Sequence, residues 1–249
     1  MGILEDARER FRRLCQQRDL SWEAGLEVRP LEPDEAIGRE ADEGFVLRRG
    51  KERLIEATFR GSLGQAFTDR PGAWSGTLGE ALDLDLHVVA TRAVFVAVLN
   101  AVCRHLGVAS GTVHCKDQEP KHCGRVLAEE VERRYGAASR LALIGLQPGF
   151  LEGLVARFGP ERVRASDRDP NNIGQERFGV VILDGETDLV GLARWCDVGL
   201  ATGSSVVNAT IDQIASVFGR EGKPLVFYGN TIAGVAALTG LERFCPFGR

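Results

Sequence analysis

Apolar residues Ile3, Leu4, Ala7, Phe11, Leu14 and Cys15 recur three and four positions apart, with arginines and glutamates between them. That spacing predicts an amphipathic helix over residues 3–18. Trp22–Val28 reads as a strand stopped by Pro30 and Pro33. Ile55, Ala57 and Phe59 alternate with polar neighbours, the period of a strand over Leu54–Phe59. A further strand, Leu63–Phe67, follows a Gly61–Ser62 turn, and Asp69–Gly76 is rich in turn residues. Thr77 and Glu80 have capping-box spacing and open a short helix. The most apolar stretch, Val88–Leu106, carries Arg92, Asn100 and Arg104. Its longest unbroken apolar run, Ala93–Leu99, falls far short of the ~18 residues of a membrane span, so it predicts a helix buried on most sides.

A helix, a group of strands and then helices make an α+β pattern. Short, small residues over Gly107–Thr112 place the boundary between domains of residues 1–110 and 111–249. Val126, Leu127, Val131 and Tyr135 then form one face of a helix ending at Gly136. From Arg140 the pattern becomes strand, turn, helix, repeatedly. Leu141–Leu146 is a continuous apolar run, as a strand buried on both faces requires. Val163–Ala165, Val180–Leu183, Val198–Ala201 and Leu225–Tyr228 follow as strands. Helices are expected over Phe150–Phe158, Leu189–Trp195 and Val206–Phe218, with a short one at the end. The expected fold is α/β, with an α+β N-terminal domain and a C-terminal, mostly parallel, doubly wound sheet of about five strands.

In such a sheet ligands bind beyond the carboxyl ends of the strands. Those ends carry Gly145, Gln147-Pro148-Gly149, Asp167, Asp184, Thr202-Gly203-Ser204 and Gly229-Asn230. Glycine lets a ligand approach the main chain, and Ser204 or Ser205 can cap the following helix while backbone N–H groups hold an anion. A plain N-cap is the alternative. Gly145 and Gly149 form GxxxG where a dinucleotide fingerprint has GxGxxG, and Asp167 falls roughly 20 residues on, where a ribose-binding carboxylate would lie. A solvated Asp167-Arg168-Asp169 turn would look the same.

The densest chemistry is His114–Cys123, HCKDQEPKHC. Soft, borderline and hard donors crowd into it, without a CxxC or HExxH motif. If residues 114–119 run extended, Cys115, Asp117 and Glu119 share a face. Pro120 suits the first position of a helix, with His122 and Cys123 in its first turn, where the dipole favours thiolate. Cys123 also precedes Val126 and Leu127 on the apolar face, so a buried structural thiol is the competing reading.

A formal charge of −4 argues against nucleic acid as the main partner, and the basic residues at Arg8–Arg18 and Arg48–Arg53 are interleaved with acids. Six cysteines and no signal peptide suggest a reducing cytoplasm. No membrane partner is expected, and the oligomeric state stays open.

Together HCKDQEPKHCGRVLAE, LIGLQPGF, ATGSSVVNATID and FYGNTIAGV resemble a family of heavy-metal-chelation proteins of unknown function. The resemblance implies an enolase-N-terminal-like domain joined to a Rossmann-like domain. It also implies a site in the cleft between the domains, near His114, Asp117, Glu119, Gly149, Thr202, Gly203, Ser204 and Asn208. Enolase activity does not carry over, because no set of acidic magnesium ligands can be matched.

Three functions follow as expectations. The first is metal handling, chelation or delivery of a transition-metal ion, with His114, Cys115, Asp117, Glu119 and Cys123 as ligands and Cys245 a further candidate. The second is an enzyme or binding protein for an anionic nucleotide-like or pterin-like molecule. There Gly149 and Ser204 amides would hold the anion, Gly145, Gln147, Pro148, Asp167, Thr202, Gly203, Asn208 and Asn230 would line the site, and Asp117 or Glu119 beside Lys116 would do acid–base work. The third is a non-catalytic scaffold.

Overall fold

The computed structural model describes residues 2–39 and 52–249; Arg48, Arg49 and Lys51 of the second basic cluster lie outside the described residues. The chain divides into two compact units. One comprises Met1–Asp117, Gly203–Ile211 and Gly229–Arg249, the other Gln118–Thr202 and Asp212–Tyr228. The first unit thus runs seven residues past a boundary at 110 and also takes in two later segments.

The first unit begins with α1, Ile3–Gln17, whose Leu4, Ala7, Phe11 and Cys15 are buried as the helical spacing predicts. β1 (Gly25–Pro30), β2 (Arg53–Phe59), β3 (Ser62–Thr68) and β4 (Trp74–Thr77) form an antiparallel sheet in the order β3-β2-β1-β4. The strand expected from Trp22 lies three residues later, and the loop expected over 69–76 ends in β4, which pairs with β1. Pairing to β1 supplies the ladder that no alternation in that stretch announces. Arg60 and Gly61, both at positive φ, make the tight turn between β2 and β3, matching the strands' twist. After the Thr77–Glu80 capping box opens α3 (Leu78–Leu82), the long apolar helix α4 spans Val89–His105 and is buried continuously from Arg92 to Cys103.

Sheet and helix meet without intervening side chains at Gly64. A Cβ there would collide with the backbone of Ala97 and Ala101 in α4. By register Ile55, Ala57 and Phe59 of β2 share the face of Gly64 and Ala66 of β3. On the other face, α2 (Pro33–Ile37) packs Ala36 and Ile37 with Leu31 and Leu54, against Phe67.

The sharpest constraint is Asn100, fully buried in α4. Its Nδ2 donates to the carbonyls of Gln65 (2.9 Å) and Thr231 (2.8 Å), and its Oδ1 accepts the Gly234 N–H (2.7 Å). One amide thereby satisfies β3, the segment after residue 229, and the start of α9, Ala233–Thr239.

In the second unit α5, Glu119–Tyr135, ends at Gly136 with φ 90°. The parallel strands are β5 (Leu141–Ile144), β6 (Val163–Asp167), β8 (Val180–Asp184), β9 (Val198–Thr202) and β10 (Leu225–Tyr228), each overlapping a strand expected from the sequence. β7, Glu176–Arg177, pairs antiparallel with β8. Strand order within the unit is β10-β9-β5-β6-β8-β7. The helices are α6 (Pro148–Phe158), α7 (Leu189–Trp195) and α8 (Ile211–Arg220). α5 and α6 cross through glycines: a Cβ on Gly124 would collide with the Gly149 carbonyl oxygen, and one on Gly153 would lie 2.5 Å from the Gly124 oxygen.

Replacing Asn100 by leucine keeps the branching of the side chain, adds bulk, and strands two carbonyls and an N–H. We expect a loss of about 3 kcal/mol or more in urea unfolding, from roughly 1–3 kcal/mol per unsatisfied group. A loss below 1 kcal/mol would show that the amide is not the tie described.

Candidate functional site

Two polar constellations contain most of the residues singled out by sequence, one in each unit. The first surrounds the carboxyl end of β5. β6 and β8 lie on one side of β5, while β9 and β10 lie on the other, so the strand order reverses between β5 and β9. Gly145 follows β5 with φ 87°, and a Cβ there would sit 2.5 Å from Thr202 Cγ2. Its N–H donates to the Ser166 carbonyl (2.9 Å), and its carbonyl accepts the Tyr228 hydroxyl (2.5 Å). The Tyr228 ring meets Phe150 edge to face at 4.7 Å.

Asp167 closes the same turn. One carboxylate oxygen accepts the Leu146 N–H at 2.8 Å, and the other accepts the Asp169 N–H at 2.7 Å. Gln147 caps α6, its side-chain carbonyl accepting the Phe150 N–H while its main-chain carbonyl takes those of Phe150 and Leu151. Pro148 brings no N–H. Gly149 lies under α5, where a Cβ would come within 3.1 Å of the Pro120 carbonyl oxygen and 3.4 Å of Lys121 Cα. Gly145, Gln147, Pro148, Gly149, Asp167 and Thr202 therefore converge, with the N-terminal turn of α5 against Gly149. Glu119 starts that helix, and Cys123 is buried within it.

The second constellation belongs to the first unit. The His114 N–H donates to Gln65 Oε1 (2.7 Å), and its imidazole meets the Phe67 ring edge-on at 5.3 Å. Gln65 in turn donates through Nε2 to Glu56 (2.7 Å). Arg29 lies 3.4 Å from Glu56 and forms a two-pronged bridge to Glu35, holding the Glu35 carboxyl below its usual range, with Lys116 adding to the effect. The buried Asn230 approaches Gln65 Oε1 and the Thr112 carbonyl through Nδ2, each at 3.5 Å; its Oδ1 has no hydrogen-bond partner among the described residues. Cys115 is buried.

Two expectations need correction. Residues 114–119 do not run extended to Glu119. Asp117 takes a left-handed φ of 56°, its N–H donates to the Ile37 carbonyl (2.7 Å), and its carboxylate covers Gly38, itself at φ 83°. The turn breaks the alternation, so Cys115, Asp117 and Glu119 do not share a strand face; Glu119 is already helical and Pro120 takes the second helical position. Nor does Thr202-Gly203-Ser204-Ser205 open the following helix. Gly203–Val206 is a 3₁₀ turn, the Ser204 carbonyl accepting the Val207 and Asn208 N–H groups, and α8 starts only at Ile211. Ala209, at φ 56°, interrupts the helical path. The turn is held by the buried Arg92 on α4, whose Nε donates to the Val207 carbonyl (2.6 Å) and Nη1 to that of Leu86 (2.7 Å). Burial lowers the pKa of Arg92, the nearby acids Glu5 and Asp85 opposing it.

The nominated residues thus divide. His114, Cys115, Lys116, Asp117, Gly203, Ser204, Asn208 and Asn230 lie in the first unit; Glu119, Cys123, Gly145, Gln147, Pro148, Gly149, Asp167 and Thr202 lie in the second. Among the described residues no three His, Cys, Asp or Glu side chains come together as a metal ion would require. Glu56, Gln65, Arg92, Asn100 and Tyr228 were missed as site-forming groups. The available clue was a polar residue inside an apolar run, plainest for Arg92 and Asn100.

The fold that carries these groups is mixed α/β, with an antiparallel four-stranded sheet and a mostly parallel one. No family model matches the chain, and no curated protein matches it. It is similar to a protein of unknown function from the DUF364 family of Pyrococcus horikoshii, with TM-score 0.55 and 18% identity over 92% of this chain and 79% of that one. A DUF364-family protein of unknown function from Desulfitobacterium hafniense DCB-2 aligns with TM-score 0.47 and 14% identity, over 75% of this chain and 72% of that one. The Pyrococcus likeness shows a shared fold and goes no further. Among the described residues no helix is long and apolar enough to cross a membrane.

Burial pushes the Cys15 and Cys103 thiols up to about 12 and Cys196 to about 11. These groups stay protonated near neutrality and are poor nucleophiles. In iodoacetamide mass mapping near pH 8, all three should label only after unfolding. Their folded pKa values lie above the unfolded ones, so the stability they contribute is intact below about pH 8.5 and declines as pH rises toward 11–12. Rapid native labelling of Cys196 would contradict the burial.

Proposed function

We propose that the chain binds, and acts on or carries, a small nucleotide-like or pterin-like molecule at the carboxyl ends of β5 and β9. The supporting observation is the reversal of strand order between those strands, because chains leaving in opposite directions open a crevice there. Gly145 brings main chain to that point, and Thr202 ends β9 beside it. In this reading the second unit is a Rossmann-like domain, Thr202 is a polar contact for the ligand, and Gln147 and Asp167 shape the mouth of the site.

Metal handling is the second reading, and its support is chemical rather than geometric: nitrogen, sulfur and oxygen donors crowd between His114 and Cys123. The left-handed turn at Asp117 divides those donors, which puts this reading behind the first. Elemental analysis of protein purified without chelators or a metal column tests it. A stoichiometric transition metal, lost with Cys115→Ser and Cys123→Ser, would reverse the order.

A thermal-shift screen of nucleosides, nucleotides and pterins tests the first reading. At least one class should raise the melting temperature in proportion to affinity. Thr202→Val should weaken that ligand about threefold to tenfold, the worth of one hydrogen bond, without lowering the unliganded melting temperature by more than a few degrees. No stabilisation by any class, or an unchanged affinity in Thr202→Val, counts against the site.

A further inference from the structure

The turn after β5 is where a nucleotide-binding sheet of this kind offers a diphosphate two things: open N–H groups at a helix N-terminus, and a glycine that lets the phosphate approach the backbone. A carboxylate at the end of the neighbouring strand then reads the ribose diol. Here Gln147 takes one of the helix donors, α5 closes the approach beside the glycine, and the carboxylate is engaged with main chain. The Phe150 N–H donates to the Gln147 side-chain carbonyl, which holds the position of a phosphate oxygen, and Leu151 donates to the Gln147 main chain. The space beside Gly149 is filled by Pro120 and Lys121 of α5. Both oxygens of Asp167 already receive backbone N–H groups.

The structure assigns to Gln147 the role of a specificity-determining residue: its amide oxygen occupies the oxyanion position of α6 and excludes diphosphates. For its ligand class the inference rests on the binding site proposed above. The compound taken at β5 and β9 is then a single heterocycle or nucleoside-like molecule without a diphosphate, recognised through its ring and hydroxyl edges. Glutamine is an uncommon cap compared with Ser, Thr, Asp or Asn, because its longer side chain must fold back to reach the helix. What the extra length provides here is an uncharged acceptor seated over the first turn.

The probes are inorganic phosphate and ADP, added at about 10 mM to the full chain in buffers of matched ionic strength. Wild type should show no melting-temperature rise with either. Gln147→Gly, which costs a helix cap only a few tenths of a kcal/mol, should gain a phosphate-dependent rise of roughly 2–4 °C, as millimolar binding produces. Gln147→Glu keeps the acceptor and should gain nothing. A wild-type response equal to that of the glycine variant overturns the assignment, and so does a folded glycine variant with no response. Should that variant not fold, ADP binding to wild type with a Kd below about 1 mM overturns it alone, and absence of binding supports it. Failure here is separable from failure of the proposed function. ADP binding to wild type would sink the role of Gln147 while leaving a ligand site, whereas a silent screen with a responsive glycine variant would do the reverse.

Discussion

A single buried amide, Asn100, holds the first unit together. It sits in the most apolar helix of the chain and makes hydrogen bonds with three separate stretches: β3, the segment after Gly229, and the start of α9. Burying a polar group this way is favourable only because its two donor hydrogens and its oxygen find partners. The close approach it requires comes from small residues. Gly64 lies against the α4 backbone, and Gly234 lies against Leu99 where any Cβ would collide. Hydrophobic burial drives the collapse of this unit; the amide selects which backbone segments may lie beside α4.

The second unit follows the same logic with different atoms. Its parallel strands are mostly apolar and carry most of their polar residues towards their carboxyl ends, so specificity resides in the turns there, where Gly145, Gln147 and Asp167 direct hydrogen bonds to neighbouring main chain. Glycine here serves packing as much as ligand access. Gly149, which sequence would assign to an anion, makes room for α5, and Gly124 and Gly153 let α5 and α6 cross closely. Parallel pairing with β5 and the close approach of Gly145 to Thr202 set the end of β9 beside the turn that follows β5.

Periodicity made most of the secondary structure legible. The buried positions of α1, the span of α4 to within a residue at each end, the Thr77–Glu80 cap and all five parallel strands follow from local pattern. β4 was not legible, because four residues of mixed polarity become a strand only by pairing with β1. The 3₁₀ turn at Gly203 was also hidden. TGSS followed by apolar residues reads as a capped helix, but Arg92, more than a hundred residues away, takes the Val207 carbonyl.

The amino-acid sequence by itself determined the elements whose signals are local: amphipathic helices, runs buried on both faces, caps, and glycine turns at strand ends. It also determined the chemical inventory between His114 and Cys123. Only the tertiary structure decided how that inventory is used. The left-handed backbone at Asp117 exists because the Ile37 carbonyl and Gly38 are there to receive it, and Gln65 reaches the His114 N–H because β3 presents it. Partners distant in sequence carry no periodic signature, so hydrogen bonds between them become visible only once the chain has folded.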